Sequence, residues 1–135
     1  MREGEGTTRG VSRQPDAQGS GSVVRRFSLD TLAGSLLQVV KQGLSVAHSG
    51  PASAPAGRQV GQQGLATVVC QARNQSMHRE AGTLRAPVVA CFDTLKADCG
   101  AQYASPTTRN LAFQVVQVLG WRTADDVLAD LALLT

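Results

Sequence analysis

The sequence predicts an α+β chain, an antiparallel β-sheet (meander) followed by two C-terminal α-helices and completed by dimerisation. Three observations lead there. The middle third holds β-branched runs of strand length with two-residue alternation. The last third carries two helical patterns, one opened by Ser105-Pro106 and closed by Gly120-Trp121-Arg122, the other opened by Thr123-Ala124-Asp125-Asp126. Only five of 135 residues are aromatic: Phe27, Phe92, Tyr103, Phe113 and Trp121. A core of Val, Leu and Ala buries little area per side chain, so the subunit is expected to need a partner to finish covering its apolar faces.

The length allows one domain. Residues 1–22 are rich in Gly, Ser, Thr, Gln and Arg and bury almost nothing, which predicts a flexible N-terminal arm ahead of a single domain over 23–135. Arg25-Arg26-Phe27-Ser28 matches a basophilic kinase pattern, but four-residue matches are common by chance. From Leu29 to Ala47 two readings stand side by side. Leu29, Leu32, Ala33, Leu36, Leu37, Val40, Leu44 and Ala47 follow helical spacing, with Ser28 as N-cap and Gly50-Pro51 as stop. Gly34 and Gly43 each disfavour a helix by about 1 kcal/mol, and Ala33-Gly34-Ser35 equally suits a hairpin turn.

Residues 49–64 read as a loop. Leu65 to Arg73 then reads as a strand with Ala66, Val68, Cys70 and Ala72 on one face and Thr67, Val69, Gln71 and Arg73 on the other. After a polar turn, Thr83 to Phe92 continues the alternation, with Leu84, Ala86, Val88 and Ala90 inward. Pro87 cannot donate a ladder hydrogen bond and so marks an edge or bulge. The sheet is expected to run to about 104, with Thr94 and Lys96 on the outward side of its last part.

The first helix, about 106–119, is expected to be capped by Ser105 with Pro106 at its first position. It carries Leu111, Val115, Val118 and Leu119 as its packing face. The second, about 124–134, has Thr123 as cap, Asp125 and Asp126 suited to the helix N-terminal dipole, and Val127, Leu128, Leu131 and Leu134 as its buried stripe.

The net charge is +3, which permits contact with a polyanion without demanding it. Cys70, Cys91 and Cys99 lack a Cys-x-x-Cys spacing and read as reduced, buried thiols, with Cys99 nearest a turn and open to an inter-subunit disulfide. His48 and His78 are isolated, no glycine-rich phosphate loop is present, and no Cys/His set has ligand spacing. The expectation is a non-enzyme with no cofactor, no metal and no membrane segment. A helix-turn-helix reader of DNA is disfavoured because Asp125, Asp126 and Asp130 put three negative charges and no Lys or Arg on the second helix. Gln71, Arg73, Thr83, Arg85, Thr94 and Lys96 are the candidate RNA-binding residues, sharing one polar sheet face.

The stretch Ala66 to Ser76, the polar turn, and Thr83 to Val89 resemble the central strands of coat proteins from levivirus-type single-stranded RNA bacteriophages. The similarity runs from about Gly64 to Leu134 and lies chiefly in the order of elements. It implies a homodimer whose helices lie across the partner's sheet. It also implies an icosahedral shell, assembled in a bacterial host's cytoplasm, that packages single-stranded genomic RNA in the virion. Arg73, Thr83 and Arg85 fall where that family places RNA-contacting side chains. The alternative is a small intracellular helix-rich protein-interaction module without nucleic-acid binding, in which a helix from Leu29 to Ala47 packs on the terminal pair.

Overall fold

The computed structural model describes residues 16–134. Along them run α1 (Asp16–His48), a short hairpin of β1 (Gln59–Val60) and β2 (Gln63–Gly64), then α2 (Leu65–His78), α3 (Ala86–Cys99), α4 (Ala112–Val118) and α5 (Ala124–Leu134). The expected sheet is therefore absent among the described residues, apart from a hairpin pairing Gln59 with Gly64 and Val60 with Gln63. Both expected central strands are helices.

The packing explains why. In α2 the buried positions include Leu65, Val68, Val69, Ala72 and Gln75, which recur at intervals of three and four rather than two. Val69, placed outward by the alternation, is fully buried. In α3 the same spacing holds for Val88, Cys91, Phe92 and Leu95. Pro87 sits in the first turn of that helix, where a missing N–H has no intrahelical partner to lose. Burial of a 3.6-residue stripe outweighs the β-propensity of Thr67, Val68 and Val69, which is worth less than about 1 kcal/mol per residue. With the sheet gone, the element order that carried the resemblance to phage coat proteins has no counterpart in this fold.

The ambiguity over 29–47 resolves to helix, and α1 starts well before Ser28. It takes in the last part of the expected arm; residues 1–15 of that arm lie outside the described residues. Ala33, Leu37, Val40 and Leu44 are its buried stripe, packed against α2 and α4. Gly34 marks the closest approach: a Cβ there would lie 2.5 Å from Ser76 Oγ and 3.9 Å from Ala112 Cβ. The absent side chain lets two helix backbones come together.

The expected helix start at Ser105-Pro106 is a turn instead. Gln75, fully buried on α2, donates from Nε2 to the carbonyls of Pro106 and Arg109, each at 2.6 Å, and its Oε1 accepts the Leu111 N–H at 3.1 Å. Those bonds satisfy loop backbone that a helix ladder would otherwise have taken. The chain turns helical only after Asn110, whose Oδ1 accepts the Ala112 N–H at 3.0 Å. At α5, Thr123 Oγ1 accepts the Asp126 N–H at 3.3 Å, while Asp126 Oδ2 accepts the N–H groups of Arg122 and Thr123 at 2.9 Å. This is a reciprocal cap with Asp in the usual Glu position.

The terminal helices pack on their own chain, not across a partner's sheet. Leu111, Val115 and Leu119 are buried there, and Val118, Val127 and Leu131 are half-buried against the same core. Leu128 is 61% exposed and does not belong to the stripe assigned to it. Its place is taken by Asp130, which is buried. Its carboxylate accepts two bonds from Arg58, at 2.8 and 2.9 Å, and one from the Trp121 indole at 2.7 Å. Arg58 also donates to the Leu119 carbonyl. The loop before the hairpin, the end of α4 and the middle of α5 are thereby tied at one carboxylate. No helix among the described residues is long and apolar enough to cross a membrane.

The Arg58 guanidinium, more than the Trp121 indole, holds the Asp130 carboxyl below its usual range against the opposing effect of burial. A carboxylate depressed in the folded state stabilises the fold above its unfolded pKa, about 3.9, and that stabilisation disappears as pH falls through the lower folded value. Asp130→Ala is expected to destabilise the protein by about 2–3 kcal/mol at pH 7, because it strands the indole N–H and the partly exposed guanidinium. Urea unfolding at pH 7 and below pH 4 checks this, the gap between wild type and variant narrowing in acid.

Candidate functional site

The α1–α2 crossing that buries the core also sets two polar residues of α1, Gln38 and Lys41, beside α2. Lys41 lies on the flank of α1 next to the buried stripe, and its Nζ donates to Asn74 Oδ1 at 3.0 Å. Arg73, one residue earlier on α2, donates from Nη1 to the same oxygen at 3.1 Å and from Nε to Gln38 Oε1 on α1. Two cations thus converge on one neutral amide oxygen. Partial burial, and after it the Arg73 charge, lower the Lys41 pKa from its ordinary value. Arg73 offers five N–H donors and uses two of them on these side chains.

Lys41, Arg73 and Asn74 line a cleft of about 520 Å³. Gln71, Arg73 and His78 contribute from α2. The connection to α3 closes the far side with Thr83, Leu84 and Arg85, followed by Pro87 and Val88 at the start of that helix. Gly82, at φ 79°, turns the chain after α2, and the Arg85 carbonyl accepts the N–H groups of Val88 and Val89. The outcome is a concave wall of mixed character. Leu84, Pro87 and Val88 supply apolar surface, Lys41, Arg73 and Arg85 supply charge, and no Asp or Glu is among the described residues lining it.

Of the residues expected to share one sheet face, the fold gathers Gln71, Arg73, Thr83 and Arg85 around this cleft. It does so through a helix and a turn. Thr94 and Lys96 stand apart: Thr94 Oγ1 donates to the Ala90 carbonyl of its own helix at 3.0 Å, and Lys96 is exposed farther along α3. Sequence reasoning missed Lys41, Asn74 and His78. One signal was there to be used, since Lys41 is the only charged residue between Asp30 and His48. An isolated charge on an otherwise uncharged length of helix asks what it faces.

Nothing in this arrangement supplies a nucleophile with a base. His48 donates to the Leu134 carbonyl, which joins the ends of α1 and α5. All three cysteines are free, Cys70 and Cys91 buried and Cys99 half-buried. Burial pushes the Cys91 thiol up to about 11 and raises Cys70 and Cys99 as well, so each is held in its less reactive protonated form. Among the described residues no three His, Cys, Asp or Glu side chains group as metal ligands. Comparison of the chain with protein-family models, curated proteins and solved structures gives no match.

Asn74→Asp would set a carboxylate against both cations at the distances the amide oxygen now holds. It is expected to raise stability by about 0.5–1 kcal/mol, the modest value of a partly exposed ion pair, measured as a higher urea midpoint that falls back in high salt.

Proposed function

We propose that the protein is a small helical protein-interaction module that takes up an acidic segment of a partner in the cleft between α1, α2 and the turn before α3. The observation that carries this reading is the convergence of Lys41 and Arg73 on Asn74 Oδ1 without a carboxylate in the lining. Two like charges held together gain from any anion that arrives between them. A partner's Asp or Glu meets Arg73 as a two-pronged donor and Lys41 as a point charge. Leu84, Pro87 and Val88 beside the charges suit an apolar neighbour of that carboxylate in the partner's chain.

The chemistry of the wall favours an acidic peptide over RNA. The lining holds one imidazole, His78, and no Phe, Tyr or Trp to make a platform on which successive bases could stack. Three fixed positive charges within one cleft match one or two carboxylates, whereas a nucleic-acid backbone calls for an extended basic track. RNA packaging, expected from the resemblance, depended on a sheet face that the chain does not form.

Titration calorimetry with a short peptide of alternating Glu and Leu tests the reading beside single-stranded RNA and inorganic phosphate. The peptide is expected to bind and to weaken as salt is raised. Arg73→Ala is expected to weaken binding by about ten- to a hundredfold, the loss of a charge-assisted hydrogen bond. Absence of peptide binding, or tighter binding of RNA than of peptide, would contradict it.

A further inference from the structure

Helix α1 carries a second apolar stripe, half-buried at Leu29 and at Leu36, which also packs on the core, and left open by the other described residues at Leu32, Val39 and Val46. Leu29, Leu32, Leu36, Val39, Gly43 and Val46 follow one another at intervals of three, four, three, four and three residues, the seven-residue repeat of a two-helix seam. Leu32, Val39 and Val46 are 67, 65 and 82% exposed, although Ala33, Leu37, Val40 and Leu44 next to them are buried. Gly43 sits in this stripe with nothing within 4 Å of where its Cβ would be. Unlike Gly34, it serves no contact among the described residues.

We infer that this stripe docks on the same stripe of a second copy, in antiparallel register about a two-fold axis between Leu36 and Val39. That register sets Leu29 against Val46, Leu36 against Val39, and Leu32 against Gly43. The largest exposed side chain of the central turns then enters the gap left by the glycine, once on each side of the axis. A parallel pair would instead put glycine against glycine and leave a void. The self-complementary register points to a second copy as the occupant, because an interface about a two-fold axis needs a patch whose protruding positions meet its own gaps, as Leu32 meets Gly43.

Charge is compatible with this pairing. The solvent-side flank of the stripe is Ser28, Ser35 and Gln42, so like charges are not brought together. Lys41 faces the cleft on another side of the helix, which leaves the proposed peptide site open in the dimer. The seam spans 18 residues, about 27 Å at the usual helical rise, and one helix face of that length is smaller than a standard interface. The dimer is therefore a weak one.

Sedimentation equilibrium of the full chain from low micromolar to near-millimolar concentration tests the inference. A dimer that grows with concentration is expected. Val39→Asp is expected to abolish it with helical circular dichroism and thermal midpoint unchanged, since the residue lies outside the core. Gly43→Leu fills the gap and improves the helix propensity of the single chain. It is expected to weaken association by about tenfold or more while the monomer becomes more stable. Leu128→Asp, on α5, is expected to leave the dimer intact. A chain that stays monomeric throughout, as it would if a different protein covers the stripe, overturns the inference, and so does a Gly43→Leu variant that dimerises as well as the wild type. Peptide binding at the cleft is measured separately and does not depend on either outcome.

Discussion

The close crossing of α1 and α2 is the contact on which the rest of the molecule depends. Gly34 lets the two backbones approach, and Ala33, Leu37, Val40 and Leu44 fill the space against Val68, Val69 and Ala72. Burial of these side chains, together with Leu95, Leu111 and Val115 in the same core, supplies the driving force for a fold with few aromatic residues. The same crossing has a polar consequence. It brings Lys41 to within hydrogen-bond reach of Asn74 and holds Arg73 against Gln38, so a helix pair assembled by apolar packing ends with two cations on a shared amide. Core and cleft are two sides of one geometry.

Polar side chains do the work that regular caps and ladders do elsewhere. Gln75 spends its amide on loop backbone, and Asp130 ties Arg58 and Trp121 together across three segments. The Tyr103 hydroxyl likewise donates to the Gln114 carbonyl at 3.0 Å. Each of these anchors non-helical chain between short helices, and the buried ones would be costly to leave without partners. The acidic α5 owes its place to this scheme, since one of its three carboxylates is a structural ligand for an arginine and another closes its own cap.

Much of the helix content was present in the sequence but was obscured by the way two runs spell it. Leu65, Val68, Val69 and Ala72 have helical spacing, yet the adjacent Thr67, Val68 and Val69 invite a strand, and Ala66, Cys70 and Ala72 also satisfy a two-residue alternation. In Ala-rich runs both periods fit, because Ala is acceptable on either face. Pro87 reads as an edge marker of a strand, and a first-turn proline in a helix gives the same signal. Thr123 with Asp126 was legible because a cap is local. Gln75 and Asp130 were not, since their partners lie 31 to 36 and 72 or 9 residues away. The cleft was half legible: Gln71, Arg73, Thr83 and Arg85 stood out by chemistry, but the Lys41 that completes the charge pair is placed only by tertiary packing.

The central claim is that Lys41 and Arg73 are held together in want of an anion, and the titration of Lys41 tests it most directly. Carbon NMR of the lysine side chain against pH, with and without the acidic peptide, follows that one group. In the free protein Lys41 is expected to titrate below the ordinary lysine value, because burial and Arg73 both disfavour its charged form, and peptide binding is expected to move it upward, since a nearby carboxylate favours that form. A Lys41 that titrates like a free lysine and does not respond to the peptide would contradict the account.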